Sequence, residues 1–404
     1  MKVCLIVDDY MPFSIKVAAK MMHELACELI DQGCEVTVVT PHPGLDGQAS
    51  VDVLDGVKVY RFRSGKIKNT NRTKRAINET LLSFLSWRSL KPYLKENKHD
   101  MIVYYSPSIF WSGLVNKLKK EWGAPSYLIL RDLFPQWAID QNLIIQGSVI
   151  EKYFRFFEKK NYLAADTIGL MSENNLEWFK VNIDFGINTN LEVLFNWAAN
   201  SPTRSDNNYK KILGLEGKVV YFYGGNIGHA QDMMNVVRLA KNISSYNKAH
   251  FVLVGTGDEV ELVKNSIEEG GLTNITVLPP VKQDQFKKML AEFDVGLFTL
   301  HKKHSTHNFP GKLLGYMVQS LPVLGSINKG NDLKEVIESH KAGLVTVNGE
   351  DNAFLNNAIK LLNEDYREEI GANSQKLLNS TFSVKAAAKQ ILERVDCEKL
   401  KPTS

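Results

Sequence analysis

Short runs of Val, Ile and Leu alternate along this chain with longer stretches in which apolar residues recur at helical spacing. Lys2 to Val7 is the first such run, continuous rather than alternating, as a strand buried on both faces of a parallel sheet should be. Ser14 to Gln32 follows with helical spacing and Gly33 as its stop, and Glu35 to Thr40 predicts the next strand. Further strands are predicted at Val57 to Phe62, Met101 to Tyr105, Ser126 to Leu130, Asp166 to Met171 and Leu191 to Phe195. The second half adds Lys218 to Tyr223, Phe251 to Val254, Ile275 to Leu278 and Phe293 to Leu300. Strands that alternate with helices in this way predict βαβ units and an α/β fold built on parallel, doubly wound sheets.

The rhythm breaks once. Ala199 to Gly217 is polar, carries Pro, Ser and Asn, and has no period, so it is the best linker on the chain. A length of 404 residues is too great for one compact core and suits two domains. The expected division is 1–198, linker 199–217, 218–382, and a closing helix within 383–404.

Composition adds limits. Hydrophobic content of 44% and charged content of 23% are ordinary for a soluble enzyme, and a net charge of +4 is too small to argue for nucleic acid. The four cysteines (Cys4, Cys27, Cys34, Cys397) form no C-x-x-C pair and have no His at metal spacing, so neither a zinc site nor a disulfide framework is expected. The first run ends in two aspartates, which suits a strand and not a signal peptide, and no apolar stretch approaches a membrane span. A cytoplasmic protein is expected.

The distribution of charge changes the picture more than its sum. Between Arg61 and Lys98 eleven cations face only Glu79 and Glu96, and from Arg72 onward they interleave with Ile77, Leu81, Leu82, Phe84, Leu85, Trp87, Leu90, Tyr93 and Leu94. This pattern fits an amphipathic helix on an anionic membrane surface, with Trp and Phe at the interface. It equally fits a helix packed on the sheet with a solvated basic face.

Candidate chemistry lies where strands end, because open α/β sheets bind ligands at their carboxyl edge. The stretch His301 to Leu324 reads as polar loop, helix and strand, and its turn holds Asn308, Phe309, Pro310, Gly311 and Lys312. Pro310 fixes the turn, Gly311 permits close backbone approach, and Lys312 adds a charge to the positive end of the helix dipole, so an anion is expected there. Gly224, Gly225, Asn226 and Gly228 form a Gly-rich turn between strand and helix, suited to holding phosphate on backbone N–H groups. Arg131 and Asp132 end a strand, as do Asp8 and Asp9 with Pro12 and Ser14 after them. A buried Arg–Asp pair that ties loop to sheet, or a Ser14 that caps a helix, would explain the same residues. No D-x-D occurs, so no metal is indicated on a diphosphate.

The run P-G-K-L-L-G-Y-M-V-Q-S-L-P-V-L from Pro310 to Leu324 resembles the P-x-K-x-x-E-Y-M-A-x-G-x-P-V segment of retaining nucleotide-sugar glycosyltransferases with two Rossmann-like domains, the GT-B architecture of family 4. The resemblance implies two Rossmann-like domains facing across a cleft, the first on the acceptor side, the second holding the donor, and a last helix packed back on the first domain. It implies donor contacts from Gly224, Gly225, Asn226, Gly255, Val281, Asn308, Phe309, Pro310, Gly311 and Leu313, with Lys312 on the diphosphate. Arg131 and Asp132 would contact sugar or acceptor. Two family glutamates are replaced by His307 and Gly315, and the lysine usual after the Gly-rich turn is absent, leaving His229, Asn226 or Lys312 alone to serve the diphosphate. His307 stands as a further catalytic candidate, or as one of three unremarkable loop histidines.

The version with Gly315 is similar to bacterial enzymes that add N-acetyl-L-fucosamine or a related N-acetylhexosamine from a UDP-sugar. Their acceptor is a polyprenyl-diphosphate-linked saccharide at the inner membrane face, in O-antigen or capsule synthesis. The resemblance implies retention and no required metal. Two other readings remain: a non-hydrolysing UDP-sugar 2-epimerase, and a non-catalytic glycosyltransferase-like subunit.

Overall fold

The computed structural model describes residues 1–14, 16–67, 70–140, 142–183, 186, 189–206, 208–302 and 311–399. The chain forms two compact units, Met1–Phe195 with Val384–Ser404, and Asn196–Ser383.

The first unit is built on eight strands: β1 (Lys2–Ile6), β2 (Glu35–His42), β3 (Ala49–Leu54), β4 (Val57–Arg63), β5 (Met101–Tyr105), β6 (Ser126–Leu130), β7 (Thr167–Leu170) and β8 (Asn190–Val193). Their order across the sheet is β3-β4-β2-β1-β5-β6-β7-β8. All pairs are parallel except β3 with β4. That antiparallel edge turns at Asp55–Gly56, both at positive φ (49° and 81°), the backbone a two-residue hairpin demands. Leu5, Val38, Val103, Leu128 and Ile168 are fully buried in adjacent central strands, which is why these segments read as unbroken apolar runs.

The stretch Arg72 to Lys98 forms two helices, Arg72–Thr80 and Leu82–Glu96, that run nearly continuously through Leu81, whose φ and ψ (−81°, −8°) remain right-handed. A further helix, Val149–Leu163, was not anticipated. The last helix, Val384–Lys399, belongs to this unit. Gln390 donates from Nε2 to Glu192 Oε1 (2.9 Å) and to the Val193 carbonyl (2.7 Å), and Arg394 pairs with Glu192, so β8 is tied to the end of the chain.

The second unit has six parallel strands: β9 (Val219–Asn226), β10 (Ala249–Thr256), β11 (Ile275–Leu278), β12 (Val295–Thr299), β13 (Val323–Ile327) and β14 (Gly343–Val347), in the order β11-β10-β9-β12-β13-β14. The order reverses between β9 and β12, as it does between β1 and β5 in the first unit. Such reversal points are where doubly wound sheets open a crevice for ligands. Part of the stretch expected as linker, residues 199–217, is folded into this unit: helix Tyr209–Ile212 carries Lys210, whose Nζ lies 2.7 Å from Asp294. Asp294 also accepts from the Val220 N–H at 2.7 Å, so the start of β9 is fixed to the entry of β12. No described helix is long and apolar enough to cross a membrane.

Candidate active site

At the carboxyl ends of β9, β10 and β11 the second unit holds a cavity of about 310 Å³, lined by Gly224, Gly225, Asn226, Val254, Gly255, Thr256, Pro280, Val281 and Phe286. Its volume is at the lower end of the range for small-ligand sites. Five of the expected donor-binding residues, Gly224, Gly225, Asn226, Gly255 and Val281, meet in its wall.

Missing Cβ atoms make this wall. A Cβ on Gly255 would stand 1.8 Å from the Gly225 carbonyl oxygen, so the tips of β9 and β10 pack backbone against backbone. A Cβ on Gly224 would stand 2.1 Å from the Phe286 ring. Gly225 has φ +133°, a conformation that residues with a side chain rarely adopt. Backbone polar groups therefore reach the cavity surface unshielded.

Lys312 opens the helix Lys312–Val318. Its ammonium lies 3.6 Å from the centroid of the Tyr223 ring, a cation–π contact, and 3.4 Å from where a Cβ on Gly225 would be. Burial pushes its pKa down to about 7. Among the described residues no carboxylate pairs with it. The arrangement leaves a poorly solvated cation beside a glycine turn, and an anion placed there would hold its proton on.

Tyr316 sets the helix that carries this lysine. Its hydroxyl donates to the Leu297 carbonyl (3.0 Å) and accepts from the Gly224 N–H (3.4 Å), and its ring covers Gly296, where a Cβ would come within 2.3 Å. Sequence reasoning missed Tyr316, Tyr223 and Phe286. Tyr316 lay inside the quoted motif, but its link to Gly224 exists only in three dimensions. Gly311 precedes the helix and is exposed, whereas the Leu313 side chain is fully buried in the core, so only its backbone is available to a ligand. His307, Asn308, Phe309 and Pro310 lie outside the described residues.

Beside the cavity, His229 follows the Gly-rich turn and pairs through Nδ1 with Glu259 (3.3 Å), while its ring lies 4.9 Å from that of His301. These histidines leave β9 and β12, the two strands that flank the reversal. Asn226 is engaged locally, its Nδ2 donating to Gln231 Oε1 at 2.8 Å.

The first unit shows a different kind of strand end. Arg131 donates from Nη2 to the Phe195 carbonyl (3.0 Å) and from Nη1 to that of Leu130 (3.5 Å). Burial lowers its pKa to about 10, which leaves it charged at neutral pH. Asp132 is pushed up to about 6 by burial, opposed by the Trp137 indole. A half-buried carboxyl with its pKa raised toward neutrality is suited to proton transfer or to a hydrogen bond with a sugar hydroxyl. Near β1, Ser14 donates to Asp9 at 2.8 Å instead of capping the helix Val17–Asp31, whose N-cap is Lys16.

Two Rossmann-like parallel sheets define the GT-B glycosyltransferase fold, and comparison with known proteins agrees. Residues 205–377 match the family described as Glycosyl transferases group 1. The chain is 24% identical over 223 residues to the probable glycosyltransferase WbjE of Pseudomonas aeruginosa, and the match covers 54% of each, so the chain spans about half the length of that relative. Among solved structures it is similar to Anabaena Alr3699/HepE in complex with UDP (TM-score 0.66, 14% identity, 98% of this chain and 100% of that one). It is also similar to WaaG, a glycosyltransferase involved in lipopolysaccharide biosynthesis (TM-score 0.61, 12% identity, 97% and 99%). Both the matched family and this relative are described as glycosyltransferases.

Proposed function

We propose that the protein transfers a sugar from a UDP-sugar to a polyprenyl-diphosphate-linked saccharide during assembly of a surface polysaccharide, with retention of anomeric configuration. N-acetyl-L-fucosamine or a related N-acetylhexosamine is the proposed sugar, and the inner face of the plasma membrane the proposed address. The observation that carries this reading is the backbone-lined cavity with the Lys312 ammonium beside the Gly225 turn. The HepE structure with UDP and the lipopolysaccharide role of WaaG support the donor and the setting.

As the glycosidic bond breaks, the leaving diphosphate gains negative charge. Lys312 meets that charge in a site of low polarity, where a preorganised cation is worth most. Glycine N–H groups hold the phosphates. Gly255 and Val281 offer backbone to the nucleoside, and Asn308, Phe309, Pro310, Gly311 and Leu313 are further proposed donor contacts. Arg131 and Asp132 serve sugar or acceptor, with His307 as a further catalytic group. No metal is required in this scheme.

The test is a thermal-shift panel of UDP, GDP, CDP, ADP, dTDP and NAD without added metal, followed by turnover of UDP-sugars. A ligand at a hundredfold excess over its Kd adds about 2.7 kcal/mol to the folded state, enough to move the midpoint by several degrees. UDP alone is expected to shift it. Silence from every nucleoside diphosphate would favour the non-catalytic subunit, and a shift with NAD alone would refute the reading.

A further inference from the structure

Exposed large apolar side chains are concentrated on one part of the first unit. Along the helices Arg72–Thr80 and Leu82–Glu96 the positions Lys74, Ile77, Leu81, Phe84, Arg88 and Lys91 are all exposed and recur every three or four residues. They form one outward stripe, apolar in the middle and basic at both ends, with Ile77 and Phe84 each 55% exposed. Trp87, expected outside, packs on the core. Arg61 is buried and paired with Asp52, so it adds nothing to the stripe.

A second stripe runs along Val149–Leu163: Val149, Lys152, Phe156, Lys159, Lys160 and Leu163 are exposed at the same spacing. Val149 is 82% exposed, Phe156 53%, and Ile145 in the preceding turn 78%. Lys160 lies over the Phe156 ring at 4.2 Å. The two stripes are neighbours. The Thr80 and Tyr153 hydroxyls hydrogen-bond, Ser83 donates to the Phe110 carbonyl, and the Phe110 ring lies 4.9 Å from Phe157.

Three of the four acidic residues of these helices are engaged, and the fourth, Glu96, is exposed at the end of its helix. Glu79 pairs with Arg75, Glu151 and Glu158 with Arg155, and Glu158 is buried. Apart from Glu96, what remains outward is apolar and aromatic surface interleaved with cations.

We propose that these two stripes form one lipid-facing surface that seats the first unit on an anionic bilayer. Side chains such as Phe84, Ile145 and Phe156 enter the headgroup boundary while Lys74, Arg88, Lys91, Lys152 and Lys160 meet lipid phosphates. A second copy of the chain fits less well, because a two-fold contact of this patch would set like charges against each other. The surface gives the proposed lipid-linked acceptor its meeting place and in that sense rests on the proposed function, although its own chemistry needs only lipid.

The test is co-sedimentation of the full chain with vesicles of phosphatidylglycerol and phosphatidylethanolamine, with phosphatidylcholine vesicles as control. Wild type is expected on the anionic vesicles only. Phe84→Ser with Phe156→Ser should weaken binding at least about tenfold, and Lys74→Glu with Lys152→Glu at least roughly fivefold per site. Unchanged binding in both variants, or no binding by wild type, would overturn the proposal. So would a wild-type dimer in light scattering that the Ser pair converts to monomer. The UDP melting shift, measured on the same samples, separates the two ideas: vesicle binding without any UDP shift would leave the surface standing and remove the transferase reading.

Discussion

The carboxyl ends of β9 and β6 both lie where a doubly wound sheet binds ligands, yet they are built in opposite ways. At β9 the wall is backbone and glycine, one cavity is open, and the Lys312 ammonium approaches from a neighbouring helix. At β6 the strand runs directly into two charged side chains, Arg131 and Asp132, both displaced from their ordinary pKa by burial. The second unit spends little on charge and much on shape, and the first does the reverse. A shaped anion seat suits a ligand portion that is always the same, such as a diphosphate. Costly buried charges suit a place where protons or hydroxyl groups are handled.

The largest expected effect tests the seat. Lys312→Ala should lower turnover of the UDP-sugar by about 3–4 kcal/mol in activation free energy, roughly a hundred- to a thousandfold, with little change in melting temperature. Equal turnover would take the lysine out of the site. Next comes the wall itself: Gly255→Ala forces a Cβ against the Gly225 carbonyl, so a loss of about 1–3 kcal/mol in stability and of the UDP melting shift is expected. Retained UDP binding at full affinity would mean that the strand tips do not form the nucleotide site.

Asp132→Asn probes the other region. In the folded chain this carboxyl keeps its proton up to about pH 6, whereas in the unfolded chain it ionises near pH 4. The charged form is therefore disfavoured by folding, stability falls as pH rises through that window, and the full cost is present at pH 7. Asn should raise the melting temperature at pH 7 by a few degrees, up to about 2 kcal/mol, show no gain at pH 4, and lower activity. A drop in melting temperature at pH 7 would erase the contrast between the two strand ends.

The smallest effect is the pH dependence of UDP affinity. Lys312 in the free protein loses its charge above about pH 7, so a bound diphosphate must bring the proton back. Affinity should fall as pH rises beyond 7, by at most about 1.4 kcal/mol per unit, and calorimetry on Lys312→Gln should give a flatter profile.

Much of the fold was legible because buried parallel strands carry no polar alternation: Met101 to Tyr105, Ser126 to Leu130 and Ile275 to Leu278 fold with those boundaries. The edge strand β3 was overlooked although its Asp55–Gly56 turn is a direct hairpin signal; exposed Val51 and Val53 gave it no inward face to recognise. Helix Val149–Leu163 escaped for a related reason, since Val149, Ile150 and Phe156 on its outward side blur the period that marks a core face. At the cavity, Gly224, Gly225, Asn226, Gly255 and Val281 were readable as a group because all lie where strands end. Phe286 and Tyr316 were not singled out, because the reason for each is a glycine far away in sequence.

The tie between Glu192 and Gln390 has a consequence for the order in which the protein is made. The first unit's sheet ends at β8, but the helix that holds Glu192 leaves the ribosome only after the whole of the second unit. The second unit is contiguous and has all its parts once Ser383 has emerged. The first, though begun earlier, must wait with a half-dressed edge until its closing helix arrives. Synthesis thus completes the second unit before the unit that started first.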